Sequence, residues 1–361
     1  MPDVQEQQAA SYSRRGNRTA REGCMELTPR SEGLQMPAEF DEHECTVIVW
    51  PARASLWGHH LEQAKRDYAA VVRAVAAFEE VVVVANPGAA AEVLNYCGIG
   101  VTVTEIPVDD SWVRDSGPIV VSDGAGRRAV VQLGFDGWGR KYVPFDKDAR
   151  LATALADVFG LPVFRAPIVS EGGAFLTDGE GTLFTTEGSV IHDVRNPGLT
   201  REGAEAVFRD YLGVDTVMWL EAFPDRDTDG HVDGIANVVA PGVLALFIGE
   251  DSDGTVDLYS QRNLDLLASV QDAAGRHVRV EPVSPQGYAT IDGDEYDIPY
   301  LNHYLPAGGV VVPVGDPRTD EAALARLAEI YPDREIVGVP GGLLSYGGGG
   351  PHCITQQIPR R

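Results

Sequence analysis

The sequence predicts an α/β fold, and three observations carry that prediction. Amphipathic stretches with helical spacing alternate with runs of β-branched residues, and most of those runs are followed by two short strands around a glycine turn. The chain has 361 residues with a 44% apolar share, enough for a large buried core in one big domain or two ordinary ones.

The elements follow in order. Residues 1–35 are rich in Gln, Arg, Ser and Gly without apolar periodicity, so a disordered or loosely attached tail is expected, with a folded region over 36–361. A first strand is expected at 46–50. Helices are predicted over 60–78, 147–159, 200–212, 258–274 and 319–331, each leading into an apolar run at 81–85, 161–167, 216–220, 277–283 and 335–339. Four of these runs precede hairpin-like pairs: 112–121 with 128–133, 174–177 with 182–186, 232–239 with 243–248, and 300–305 with 310–314. Their turns are Asp123-Gly124, Asp178-Gly179, Pro241-Gly242 and Gly308-Gly309. The fifth pair is split, because 353–358 closes the pattern and 46–50 opens it. Five such units imply a ring sealed by its two outermost strands, although the same alternation also suits a doubly wound sheet.

Charge narrows the function classes. Lys+Arg number 29 against 54 Asp+Glu, a net charge of −25. That excludes a basic nucleic-acid surface and disfavours anionic membranes, so a charged partner should be cationic. Four scattered cysteines argue against a zinc cluster or a disulfide framework and suit a cytoplasmic protein. Ser13-Arg14-Arg15 has the look of a twin-arginine signal, but polar residues follow where an apolar run is required, and no stretch is long enough to span a bilayer.

Polar and glycine-rich residues concentrate where the hairpins begin: Asp110-Ser-Trp112-Val-Arg114-Asp115-Ser-Gly117-Pro118, Glu171-Gly-Gly173, Asp229-Gly230-His231-Val-Asp233-Gly234, and Gly347–Gly350 followed by Pro351-His352-Cys353. Each falls in a different unit, so ring closure would gather them. Cys353, after four glycines, is a candidate nucleophile, and His231 is the best candidate for the acid/base it needs. His231 and Asp233 are two residues apart, so on a strand they share a face. Glu171 could orient the imidazole. Burying Asp115, Glu171 and Asp233 together calls for a cation, either a metal or an organic one. Arg114 could neutralise one of them or form a surface pair. Asp225-Arg-Asp227-Thr-Asp229-Gly230 opens like an EF-hand loop, but position twelve is Ala236 and the calcium reading fails. A planar guanidinium suits several carboxylates, and its carbon is open to a thiolate.

With those residues in view, the chain resembles the agmatine deiminase family and the related bacterial peptidylarginine deiminases among the guanidino-group-modifying enzymes. The resemblance runs from Met36-Pro-Ala-Glu-Phe40 to the C-terminus. It rests on Asp110–Pro118, Glu171-Gly-Gly173, Gly179–Glu187, Arg195-Asn-Pro197, Gly230-His-Val-Asp233 and His352-Cys-Ile-Thr-Gln-Gln-Ile-Pro359. It implies the α/β fold of that family, a five-bladed pseudo-symmetric α/β propeller or pentein, as a single catalytic domain. It further implies Cys353 as nucleophile, His231 as general acid/base, Glu171 as its carboxylate partner, Asp115 and Asp233 on the guanidinium, and Trp112 packed nearby. Asp227 stands where a glutamate of the family receives the ammonium of agmatine.

The implied reaction is hydrolysis of agmatine to N-carbamoylputrescine and ammonia through a covalent thiouronium on Cys353. No metal or organic cofactor is required, and the resemblance suggests a homo-oligomer. Departures from the family, Asp229 and Gly234 in place of two asparagines and a short acidic stretch at 287–299, leave open another guanidino compound, either a specialised metabolite or a peptidyl-arginine. An amidinotransferase of the same fold and a non-catalytic binding module are the remaining alternatives.

Overall fold

The structure is a computed structural model that describes residues 27–223, 225–250, 254–284 and 286–360. It is mixed α/β, with its strands distributed over several small sheets. In the first sheet Thr355–Pro359 pairs antiparallel with His43–Val49, which runs parallel to Val81–Ala85, itself parallel to Thr102–Glu105. The second joins Ile119–Ser122, Arg128–Gly134 and Val163–Val169. The third joins Leu176–Thr177, Thr182–Thr186 and Thr216–Leu220. The fourth joins Ala236–Ala240, Val243–Phe247 and Arg279–Val283.

All four share one pattern, an antiparallel pair and then a parallel strand reached through a helix. The crossover helices are Leu61–Ala76, Leu151–Phe159, Arg201–Leu212 and Leu258–Ser269. A fifth sheet pairs Gly309–Val314 with Glu335–Pro340 across helix Asp320–Ile330, and its antiparallel partner is reduced to a bridge between Tyr304 and Val311. The expected pairing of the outermost strands is present, with Thr46 opposite Gln357 and Ile48 opposite Thr355.

The strands are apolar on both faces because side chains of neighbouring sheets meet between them. Val47 and Val49 of the first sheet cluster with Val120 and Val130 of the second. Val121 and Val131 cluster with Leu183 of the third, and Phe184 and Leu220 with Val238 and Leu246 of the fourth. Ala245 and Val283 then meet Val310 and Val312 of the fifth, and Val311 and Val339 of the fifth meet Ile48 and Val83 of the first. Each such buried Val, Leu or Ile contributes about 1.5–3 kcal/mol of transfer free energy.

Several expectations are corrected. The tail predicted for 1–35 falls largely outside the described residues, but its last part is attached. Leu34 is buried, Gln35 bridges to Ser122, and Arg30–Glu32 forms a 3-10 turn whose Arg30 pairs with Asp215. Leu34 packs beside Leu212 and Val214, an apolar contact that polar neighbours in sequence hid.

The predicted hairpin starts are not strands either. Val113–Ser116 is a short helix, and Gly172–Ala174 and Val232–Gly234 are 3-10 turns. Further elements had no prediction, among them helices Ala90–Cys97 and Gly342–Gly347, strand Thr102–Glu105, and a separate hairpin of Gly287–Ile291 with Asp294–Ile298. No helix of the described residues is long and apolar enough to cross a membrane.

Candidate active site

The three irregular hairpin starts and the turn between Gly342–Gly347 and Thr355–Pro359 deliver the predicted residues to one place. Each turns out of its sheet because its backbone and side chains bond across units. The backbone N–H of Arg114 donates to the carbonyl of Cys353 at 3.1 Å, and the backbone N–H of His352 donates to the carbonyl of Asn302 at 3.1 Å. Gly173 lies at the centre. A Cβ there would stand 2.6 Å from His231 Nδ1, 2.9 Å from Asp115 Oδ1 and 2.9 Å from Asp233 Oδ2, so only glycine lets the three side chains converge.

His231 is buried, with Nε2 3.4 Å from Glu171 Oε2. Its Nδ1 lies 3.8 Å from Asp115 Oδ1 and 4.0 Å from Asp233 Oδ1. The shared strand face expected for His231 and Asp233 is replaced by a 3-10 turn, which brings the same two side chains together by curvature. Glu171 is itself gripped by Arg195, whose Nε donates to Oε1 at 2.7 Å, both side chains being fully buried. Arg195 Nη1 also reaches Asp229 at 2.6 Å.

Asp115 accepts two neutral hydrogen bonds, from Trp138 Nε1 and from the Gly173 N–H, both at 2.9 Å. Asp233 Oδ2 accepts from His352 Nδ1 at 2.7 Å. Cys353 Sγ lies 3.2 Å from Asn302 Oδ1 and 3.8 Å from Asp233 Oδ2. Asn302 in turn donates Nδ2 to the carbonyl of Asp233 at 3.2 Å, which ties the nucleophile's turn to the aspartate's.

The electrostatics follow from burial opposed by charge. Burial disfavours the imidazolium of His231, but Asp115, Glu171 and Asp233 outweigh it and hold the group up to about 9. Burial also pushes the Cys353 thiol well above its ordinary range, helped by Asp233 and Asp115. Asp115 is raised, chiefly by burial. Asp233 is lowered, because the hydrogen bond and charge of His352 exceed the cost of burial. Two of the three carboxylates find a cationic partner within the chain, Arg195 for Glu171 and His352 for Asp233, which narrows the call for an outside cation to Asp115. Among the described residues Asp115 has no cationic side chain at hydrogen-bond distance, His231 standing 3.8 Å away. Arg114 takes neither of its expected roles. It is buried and bonds Glu39 and Gln357, each at 2.8 Å.

A cleft of about 980 Å³ opens over Cys353, His231 and Asp233 and is lined by Asp225, Asp227 and Asn302. A second, narrow cavity beside it is walled by Trp112, Asp115, Trp138, Tyr142, Asp227 and Cys353. Both residues carried over from the family pattern thus lie at the site. The Trp112 ring is tilted 31° to that of Trp57 at 6.3 Å and borders the same cavity as Cys353, and Asp227 accepts a hydrogen bond from Tyr142. Asp225 accepts from the backbone N–H groups of Asp227, Thr228 and Gly230, so the acidic stretch rejected as a calcium loop is a turn. Among the described residues, one group could hold a metal ion: His59, His60 and Asp292, whose ligand atoms lie within 4.8 Å of one another. None of the three lines the cleft.

Sequence reasoning gave no role to Arg195, Trp138, Asn302, Glu39 or His352. Arg195 stood in a quoted motif and Trp138 sits between two glycines, but their partners lie in other units. His352 was overshadowed by the cysteine beside it.

Residues 35–359 match the family model described as Porphyromonas-type peptidyl-arginine deiminase. An agmatine deiminase of Pseudomonas aeruginosa is 37% identical over 92% of this chain and 97% of its own length. Among solved structures, an agmatine deiminase of Enterococcus faecalis is 32% identical with a TM-score of 0.88, covering 93% of this chain and 99% of that one. A C. jejuni agmatine deiminase solved with substrate bound shares the fold at 23% identity, with a TM-score of 0.80 over 90% of this chain and 96% of that one. The matched region carries every segment of the cleft described above, and the chain belongs to the Porphyromonas-type peptidyl-arginine deiminase family.

Proposed function

We propose that the chain is a hydrolase acting on the C–N bond of a guanidino small molecule, agmatine first among them, to give the ureido product and ammonia. The observation that carries this reading is the convergence of Cys353, His231 and three buried carboxylates, with His231, Asp115 and Asp233 meeting at Gly173, Glu171 on His231 and Cys353 beside Asp233. Similarity to agmatine deiminases over nearly the whole chain supports it.

In this mechanism the guanidinium enters between Asp115 and Asp233. Asp115 lacks a bonded cation, so a bound guanidinium supplies it, and the same positive charge lowers the cost of ionising Cys353. Cys353 loses its proton to solvent as the guanidinium binds, and the thiolate adds to the guanidinium carbon. His231, held protonated, gives its proton to the departing nitrogen and ammonia leaves, which produces a thiouronium on Cys353. Water then adds to that carbon while His231 takes a proton, and collapse of the adduct returns the thiolate and releases the ureido product, whose last proton passes to solvent. Glu171, fixed by Arg195, orients the imidazole through both steps. These steps need no metal or organic cofactor, and a free thiol suits a reducing cytoplasm.

The same reading takes residues 36–361 as one catalytic domain, a five-bladed α/β propeller. Five apolar clusters join successive sheets, the last sheet shares one with the first, and the outermost strands pair. The partner in this reading is a cationic guanidino compound rather than nucleic acid or membrane, and the assembly is a homo-oligomer.

A cleft of about 980 Å³ is ample for agmatine, a molecule of about nine non-hydrogen atoms. That room favours, as a second reading, a guanidino compound with a bulkier tail. A panel of agmatine, arginine, arginine peptides, methylated arginines and longer guanidino-alkyl amines, scored by ureido formation, decides between them. Ammonia release from agmatine in the absence of any acceptor amine excludes an amidinotransferase, and inactivity across the panel would overturn the enzymatic reading.

A further inference from the structure

His352 is buried between two carboxylates. Its Nδ1 bonds Asp233 Oδ2 at 2.7 Å and its Nε2 bonds Glu39 Oε2 at 2.8 Å, across 313 residues of sequence. An imidazole with a carboxylate on each nitrogen donates from both and carries a positive charge. Glu39 is fixed from two further sides, by Arg114 Nη2 at 2.8 Å and by the Leu305 N–H at 3.1 Å. The oxygen that His352 holds is also the oxygen of Asp233 that lies 3.8 Å from Cys353 Sγ. The other oxygen, Oδ1, lies 4.0 Å from His231 Nδ1.

The remaining groups around His352 do not replace this arrangement. Arg114 donates Nε to the His352 carbonyl at 3.2 Å, and its charge opposes a second cation. His303 is driven down to about 4 by burial, and its ring nitrogens bond Tyr300 O and Tyr331 Oη. Cys353 follows directly in the chain. Burial and Arg114 work against the imidazolium of His352, and Glu39 and Asp233 overcome them, so the group is raised.

We propose that His352, held by Glu39, is a positioning residue for the deimination. Its cation pins Oδ2 of Asp233 and neutralises that oxygen beside the thiol, so Oδ1 is presented to the guanidinium and the thiolate forms without facing a bare carboxylate oxygen. This inference rests on the deiminase reading above for its role in turnover, but its electrostatic core can be measured without substrate.

The test uses Glu39→Gln, His352→Asn and His352→Phe in the full chain. The first readout is the pH dependence of iodoacetamide alkylation at Cys353, followed site by site by mass spectrometry. The second is KM and kcat for agmatine across pH. Removing a negative charge at residue 39 would by itself make the thiol easier to ionise. Loss of the His352 cation predicts the reverse, an alkylation midpoint raised by about one pH unit and KM raised about tenfold in Glu39→Gln. His352→Asn keeps a donor toward Asp233 and should raise KM less than His352→Phe, with the same upward midpoint. A midpoint that is unchanged or lowered in both Glu39→Gln and His352→Asn overturns the proposal, and the second variant decides if the first does not fold. Should no guanidino compound be turned over, the deiminase reading fails while the alkylation profiles still decide the role of His352.

Discussion

At Gly173 an added methyl would enter the space shared by His231, Asp115 and Asp233. Gly173→Ala should therefore cut turnover at least tenfold while the far-ultraviolet circular dichroism stays that of the parent, and wild-type turnover in this variant would contradict the convergence. Arg195 makes the opposite kind of contribution. Its replacement by Met strips the buried Glu171 of its arginine and leaves it His231 alone, at a cost of about 3 kcal/mol that urea denaturation would read directly. His231 couples the site to pH. Its folded-state pKa of about 9 lies above the unfolded value, so its stabilisation is complete below about 6.5 and is lost as pH rises through 9. The stability difference between wild type and His231→Asn should shrink over that window, and a constant difference would argue against the imidazolium. Cys353, His231, Glu171, Asp115 and Asp233, which the structure brings together, were legible as candidates because they stand near glycines at the starts of the hairpins. Sequence left Arg195 and His352 without a role because a partner's identity depends on which units meet, and no local pattern encodes that.

The elements show the same division. Strands 81–85 and 216–220 were predicted to the residue and three of the five helices to within two residues, because their apolar periodicity records burial directly, whereas the helix predicted over 258–274 ends at Ser269 and the one over 147–159 begins at Leu151. The hairpin starts were predicted as strands, since Val113, Val232 and Ala174 are apolar, yet their backbone bonds close locally, Gly117 N–H to Val113, Ala174 N–H to Glu171 and Ile235 N–H to Val232, and make helical turns. The hairpin at 287–298 escaped notice because acidic residues interrupt its alternation. Pairing of the outermost strands was anticipated from a leftover strand at each end, and it can be tested at Ile358, which is fully buried opposite Cys45. Ile358→Ala should destabilise the fold by about 2–5 kcal/mol in chemical denaturation. A loss below about 1 kcal/mol would mean that this strand adds little to the core.

For the molecule as a whole, a charge of −25 should draw a dication toward the cleft, which Asp225, Asp227 and Asp233 line. Raising ionic strength from 0.01 to about 0.5 M shortens the screening length and should lower kcat/KM for agmatine severalfold, with kcat nearly unchanged. An unchanged kcat/KM would assign the acidic surface to solubility alone.

The join between the first and last strands also sets the order in which chemistry becomes possible. Cys353 and His352 lie just ahead of Thr355–Pro359, and their partners include Glu39 and Arg114, which are synthesised hundreds of residues earlier. A chain emerging from the ribosome carries its acids and His231 long before it carries a thiol to attack with. Closure across so long a loop makes that contact entropically costly and late in folding. On the deiminase reading, reactivity toward guanidines is thereby withheld until Thr355–Pro359 has docked on His43–Val49.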